Sequence, residues 1–533
     1  MASGGEVRIF TRQATGLTKQ IGTLDTFVYN INNQNIGIGV AFILLFVPGF
    51  YAGADMFQGV ILAALIAIPM ALVYAFFSSA IPRSGGDYVY ISRTLHPLLG
   101  FMASWNWVFW MTVYVGIPAA YFAQYGLSGL FRSVGVATGN SGLVDTANSL
   151  VDPTVYLVIG TILIVFFATI FALGTRIYFR IQNVVFVIGM IGVVAALVLG
   201  VLADPGGFAG NFDRYVEAAG GVANASSVAI EPAPYDMWQT IYASTWPQFI
   251  VLFAITSSFL GGEVRQARVS QMLGMPGGVI FVTIFMFLII AVMVNLVGLP
   301  LLGGISANYY SPDVLGLTFV PAYSELVSAA YLDNVLVALL LGFTFVFWTY
   351  VWLPINFLAS TRALLAWSLD GLMPARVSEV SETRHTPTVA IIIVAIMGWI
   401  SLFLYTQGFL NTLYGIFGWM LSFFVCSIAA AVFPFRQKAL WESSPVNYRV
   451  GGIPLMAIIG VASTIALAFA LYVWWDDPIN GLRYTPDVLG DYRMWILTVA
   501  VPLTGALWYI GATIVQRQRG VRIERAFAEI PPE

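Results

Sequence analysis

Six consecutive positions, Asn30-Ile31-Asn32-Asn33-Gln34-Asn35, carry five side-chain amides, and Ile36-Gly37-Ile38-Gly39-Val40 follows at once. The surrounding sequence is apolar, and polar groups in such a setting need partners inside the protein. Gly37 and Gly39 are poor helix formers two residues apart. Together they predict a helix interrupted near mid-membrane, with bare peptide N–H and C=O groups lining a cavity. The alternative is a polar entry segment, with the true helix starting at Ile36. A second stretch has the same character: Pro247 is followed by Ala254-Ile255-Thr256-Ser257-Ser258-Phe259-Leu260-Gly261-Gly262. Small and hydroxyl residues there suit a second break, or ordinary close packing between helices. This chemistry recognises a solute rather than breaking bonds. His96 and His385 lie in polar gaps, and Cys426, the single cysteine, reads as a small packing residue in an apolar run. No nucleophile–base pair or metal-ligand set emerges, so neither an enzyme nor a cofactor is expected.

The elements that must position these residues are about twelve apolar spans, read at 25–50, 57–80, 98–128, 153–174, 180–203, 240–262, 277–302, 334–366, 387–406, 409–434, 453–475 and 494–515. Hydrophobic residues make up 59% of the chain and charged residues 9%, against about 25% charged in soluble domains. A charge at the bilayer centre costs roughly 2.5–3.5 kcal/mol, and here the charges are confined to gaps between stretches of about 20 residues. An all-α integral membrane protein is therefore expected, with the lipid bilayer as its surroundings. The net charge of −3 gives no nucleic-acid footprint. Residues 1–22 are polar and lack a cleavable signal pattern. With the N-terminus inside, nineteen of the 23 Lys and Arg fall in inner segments, Arg8, Arg12, Arg522 and Arg525 among them; only Arg132, Arg214, Arg483 and Arg493 fall outside. This bias predicts a multi-pass protein of the cell membrane with both termini cytoplasmic.

Breaks in spans one and six, five spans apart, point to an inverted-repeat transporter with its site at the midplane. The expected division is 1–22 cytoplasmic N-terminus, 23–203 first five-helix repeat, 204–239 outer loop, 240–434 second repeat, 453–515 two further helices and 516–533 cytoplasmic C-terminus. The outer loops at 204–239 and 303–333 are long enough to be functional; the first reads as a cover, the second as short helices over an entrance.

Three motifs carry a resemblance. Pro82-Arg83-Ser84-Gly85-Gly86-Asp87-Tyr88-Val89-Tyr90 runs on to Gly100-Phe101 before span three. Gly262-Glu263-Val264-Arg265-Gln266-Ala267-Arg268 follows span six. Arg362 leads to Asp370-Gly371-Leu372-Met373-Pro374, with Thr386-Pro387 opening span nine. With the Gly37-Ile38-Gly39 turn, the chain resembles the amino acid–polyamine–organocation (APC) permeases over about residues 20–435. The resemblance implies a five-plus-five fold with interrupted helices 1 and 6, and alternating access by a secondary transporter. Three departures stand out. Ile38 replaces the hydroxyl residue common between the two glycines, Ala267 replaces a proline, and span five has no ionisable residue where some proton-coupled members carry lysine.

That resemblance places the α-carboxylate of an amino acid on the helix N-terminus near Asn35, Ile36, Gly37, Ile38 and Gly39, where unsatisfied N–H groups and the helix dipole favour an anion. The α-ammonium would meet peptide carbonyls near Phe253, Ile255 and Thr256. Trp105, Asn106, Trp352 and Asn356 are further pocket candidates. A small neutral zwitterion is the expected substrate, since no counter-charge exists for a cation or dianion; an amine, another small organic solute or a non-transporting sensor stay open. Sodium near Gly37, Thr344 and Thr349, or a proton, are the coupling candidates. Arg83, Arg93 and Arg362 stand where they could pair with Asp87, Asp370 or Glu263 and hold the cytoplasmic side shut, or they serve only the charge bias.

Overall fold

The polar gaps between apolar runs become helix caps. Asp55 Oδ1 accepts from the Phe57 and Gln58 amides at 2.8 and 3.1 Å at the start of span two. Asp152, Asp204 and Asn334 do the same for the helices that begin at Pro153, Pro205 and Val335. Each cap satisfies first-turn N–H groups that a helix leaves open. The computed structural model describes residues 16–309, 311–484, 492–521, 523 and 527. The expectations for Arg8, Arg12, Arg522 and Arg525 lie outside the described residues.

Among the described residues the chain is almost entirely helical, and eleven helices are long and apolar enough to cross a membrane. These are spans one to five and seven to twelve. Span six is absent from that set because it is broken: Met237–Ala243 and Thr245–Val251 are separate short helices, and only 3-10 turns follow, at Thr256–Phe259 and Gly261–Glu263. Span one is likewise two helices, Thr23–Gln34 and Ile36–Phe50. The long loops are largely folded. Pro205–Ala218 forms a helix where a cover was expected, and Leu299–Ala307 and Tyr323–Ala330 form the short helices expected in the second loop.

The spans sort into a protected centre and a lipid-facing periphery. The most apolar stretch of span one is 78% buried, that of span twelve only 17%. Leu202, Leu336 and Leu507 are each at least 70% exposed, which suits side chains immersed in acyl chains. The two broken spans therefore lie inside a helical sleeve, where free peptide groups can be met by protein rather than by lipid.

Candidate functional site

The break in span one falls on a single residue. Asn35 has φ 56° and ψ 78°, in the left-handed region, and separates the two half-helices. Asparagine visits that region at low cost because its short side chain can bond locally. Here it does: Asn35 Oδ1 accepts from Ile38 N at 3.2 Å, while Nδ2 donates to Trp348 O at 2.8 Å. Gly39 N donates to Asn35 O at 2.9 Å. As first-turn amides, those of Ile36 and Gly37 have no acceptor within their own helix.

The glycines have a different role from the one expected. Both lie within the second half-helix, after the break. A Cβ on Gly37 would collide with Trp348, and one on Gly39 would meet Ile250 at 2.8 Å. They permit close approach of spans eight and six rather than breaking the helix. Trp348 is anchored from the other side by Nε1 donating to Gly189 O at 3.1 Å.

The amide run partners the broken backbone of span six. Asn33 Nδ2 donates to Phe253 O at 3.1 Å and to Thr256 Oγ1. Asn30 Oδ1 accepts from Ser257 N at 3.0 Å, and its Nδ2 donates to Ser257 Oγ at 2.8 Å. Gln271 completes the set by donating to Ser257 O at 3.2 Å. Trp352 Nε1 donates to Asn33 O at 2.6 Å. The Phe253 carbonyl, expected to be bare, thus already accepts from Asn33, and the Asn33 carbonyl accepts from Trp352. The physical reason is burial: an open carbonyl in this interior would cost more than an asparagine placed to meet it. Some side-chain groups also remain open. Asn356 Oδ1, Gln34 Oε1 and Ser360 Oγ are buried without a partner among the described residues.

Aromatic rings wall the gap. Phe253 meets Trp419 edge-on at 4.5 Å, Tyr114 meets Trp419 at 4.8 Å, and Trp352 lies 5.6 Å from Phe249 and 5.8 Å from Tyr114. Toward the 204–239 side, Phe46 stacks on Trp246 at 4.0 Å and touches Tyr309 at 4.8 Å. Beyond this stack a pocket of about 160 Å³ is lined by Leu45, Gln124, Tyr125, Asn308, Tyr309 and Phe319 among others.

Of the nominated residues, Asn35, Ile36, Phe253, Thr256, Trp352 and Asn356 come together at the gap, with Ile38 and Ile255 buried beside it. Trp105 does not. It stacks on Trp367 and Trp508 at 5.6 and 5.5 Å and donates to Thr504 Oγ1, docking span twelve on span three. Trp107, two positions on and about 200° round the helix, is the span-three tryptophan that joins Trp419 at Phe253, at 6.0 Å. Asn106 is used structurally, donating to Gly418 O at 2.6 Å and Ser422 Oγ at 3.1 Å while accepting from Trp110. Tyr114, Phe249 and Trp419 were missed; Trp107 and Tyr114 share one face by their seven-residue spacing, but only the tertiary fold shows which face looks inward. The sodium candidates separate as well. Thr344 bonds back to Leu340 O at 2.6 Å and packs on Gly192, whereas Thr349 bonds back to Val346 O at 2.7 Å and packs on Gly126. The side chain packed on Gly37 is Trp348.

Two buried ion pairs tie elements together at the arginine-rich face. Arg362 Nε and Nη2 grip Glu263 at 2.6 and 2.9 Å, and Nη2 also donates to Thr175 Oγ1 at 3.0 Å. Arg93 Nη2 meets Asp370 Oδ2 at 2.6 Å, and Tyr88 OH donates to the same oxygen at 2.6 Å. Gly85 and Gly86, at φ 111° and 57°, turn the chain where Cβ atoms would press on Ala366 and Phe259. Two members of the expected network are not in these pairs. Arg83 donates to Pro82 O. Asp87 takes no arginine among the described residues, and Arg93 and Arg362 are engaged with Asp370 and Glu263.

A model of the amino acid permease family matches residues 21–501. The chain belongs to that family. The permease is 24% identical over 473 residues to the branched-chain amino acid permease BcaP of Bacillus subtilis (strain 168), covering 86% of this chain and 89% of the relative. It is also 24% identical over 448 residues to the methylthioribose transporter of the same organism, covering 82% and 85%. A shorter match, 33% identical over 92 residues, joins it to an uncharacterized transporter of Mycobacterium tuberculosis (strain ATCC 25618 / H37Rv), covering 17% of the permease and 20% of the relative. It is thus a multi-pass membrane transporter of small organic solutes.

Proposed function

We propose that the permease carries a small neutral amino acid across the cell membrane by alternating access, with the zwitterion held at the gap in span one. The observation that carries this reading is the break at Asn35. It frees the Ile36 and Gly37 N–H groups for a carboxylate at a helix N-terminus. Asn356 Oδ1, beside Asn33, is an open acceptor for the ammonium. The rings of Phe253, Trp419, Tyr114 and Phe249 offer an apolar surface for a branched aliphatic side chain, in keeping with the name of the Bacillus relative. An uncharged sugar thioether is a second reading, favoured by the other relative's name and the same rings. In this reading the arginine-rich face is cytoplasmic, spans one to five and six to ten form the two repeats, and the ring stack of Phe46 and Trp246 is the outer barrier.

Uptake of labelled leucine into proteoliposomes tests it. Saturable uptake competed by valine and isoleucine, but not by lysine or glutamate, is the expected result. Competition by methylthioribose alone favours the second reading, and uptake specific for lysine overturns both. Asn356→Ala removes a bond to a charged group, worth about 1.5–3 kcal/mol, and so raises the half-saturating concentration about ten- to a hundredfold.

A further inference from the structure

The helix Asp87–Thr94 lies wholly buried against the arginine-rich mouth. Gly85 N donates to Phe259 O at 3.1 Å just before it, and Ser84 pairs with Leu260, so the helix starts on the broken part of span six. Asp87 is its first residue. The carboxylate is fully buried, and neither oxygen has a hydrogen-bond partner among the described residues. The other two acids of this mouth, Glu263 and Asp370, each hold an arginine. Asp87 faces groups that cannot neutralise it. Span two presents Tyr74 and span ten presents Cys426. Elsewhere at this mouth, Asp370 is occupied by Arg93 and Tyr88, and His96 at the head of span three is exposed. An ionised carboxylate so placed is strongly disfavoured, and such groups take up a proton instead. Burial indeed pushes Asp87 well above the usual carboxylate range.

We propose that Asp87 is a proton-binding site: it holds a proton while the cytoplasmic mouth is shut and releases it to the cytoplasm when the mouth opens. The inference rests on the alternating-access reading. Opening separates the 87–94 helix from span six, admits water, and lets the carboxylate ionise. Linkage makes the effect reciprocal. A group whose pKa is raised in one state favours that state as pH falls through it, so acidification on the cytoplasmic side stabilises the shut form. Alkalinisation favours opening.

Infrared spectra of the protein labelled with ¹³C-aspartate, in lipid nanodiscs at pH 7.5 without substrate, test the first half. A neutral carboxyl C=O band is expected in the wild type and absent in Asp87→Asn. Hydrogen exchange of residues 256–266, compared between wild type and Asp87→Asn at pH 5.5 and 8, tests the second. Opening in the wild type is expected to rise with pH relative to the variant, which mimics the protonated state. If Asp87→Asn fails to fold, the wild-type band alone decides. Absence of the carboxyl band, or identical exchange ratios at both pH values, overturns the proposal. Because no substrate enters either measurement, such a failure leaves the amino acid reading standing.

Discussion

Asn35 holds the left-handed turn, caps Ile38 N and reaches Trp348 O from one position. Replacing it by alanine loses both side-chain bonds and leaves a residue without local side-chain bonding in a region that costs about 1–2 kcal/mol. With about 1–3 kcal/mol for the unmet buried groups, Asn35→Ala is expected to destabilise by about 2–5 kcal/mol. Asn35→Gly keeps the turn and is expected to recover the backbone part of that loss. Thermal unfolding of both variants in detergent checks the order; equal melting temperatures would mean that the side-chain bonds carry the whole effect. The ion pair offers a second residue-scale test. Glu263→Gln leaves the buried Arg362 guanidinium without its counter-charge, a change worth about 3–5 kcal/mol in comparable settings. Pairing it with Arg362→Met is expected to restore much of the loss, and a double-mutant cycle with no coupling would contradict the bidentate contact.

At the scale of elements, the end of span one is latched to the end of span eleven. Tyr51 OH donates to Asp477 Oδ2 at 2.6 Å, and Asn480 Nδ2 donates to Tyr51 OH at 2.9 Å. Burial pushes the Asp477 carboxyl up to about 6, against which the Tyr51 bond works. A carboxyl raised above its unfolded value lowers stability at neutral pH. The wild type should therefore gain stability as pH falls from about 7 toward 4. Asp477→Asn is expected to flatten that gain, read as melting temperature against pH; a variant with the same slope as the wild type would exclude this latch as its source. The neighbouring bonds of Trp474 to Gln248 and Tyr242 to Asp476 hold span eleven to span six, so the latch joins both broken spans to one peripheral helix.

For the whole molecule, the division of charge predicts sidedness. Arg176, Arg265, Arg362 and Arg436 lie on the face that also carries the start of span one, whereas Arg132 and Arg214 lie among the helices Ser128–Thr138 and Pro205–Ala218 on the opposite face. With Cys426 as the single native cysteine and buried, a cysteine introduced at Ser227 is expected to react with an impermeant maleimide on intact cells, and one at Ser443 only after permeabilisation. The reverse labelling would invert the topology. Much of this organisation was legible in the sequence because lipid is an unforgiving solvent. It forces charges into gaps, so span count and composition follow from the apolar runs alone. The broken spans announced themselves for the same reason: amides and hydroxyls at 30–35 and 254–262 stand where lipid-facing helices have none.

The chain by itself thus determined the membrane class and the two interrupted spans, since each depends on local polarity. Tertiary structure decided the rest. Rotation about a helix axis turned Trp105 toward span twelve and Trp107 toward the gap. Close packing showed that Gly37 makes room for Trp348 instead of breaking the helix. Long-range pairing gave Arg93 to Asp370 and Arg362 to Glu263, and left Asp87 alone. Which partner a buried charge meets depends on residues hundreds of positions apart, and no local pattern encodes that distance.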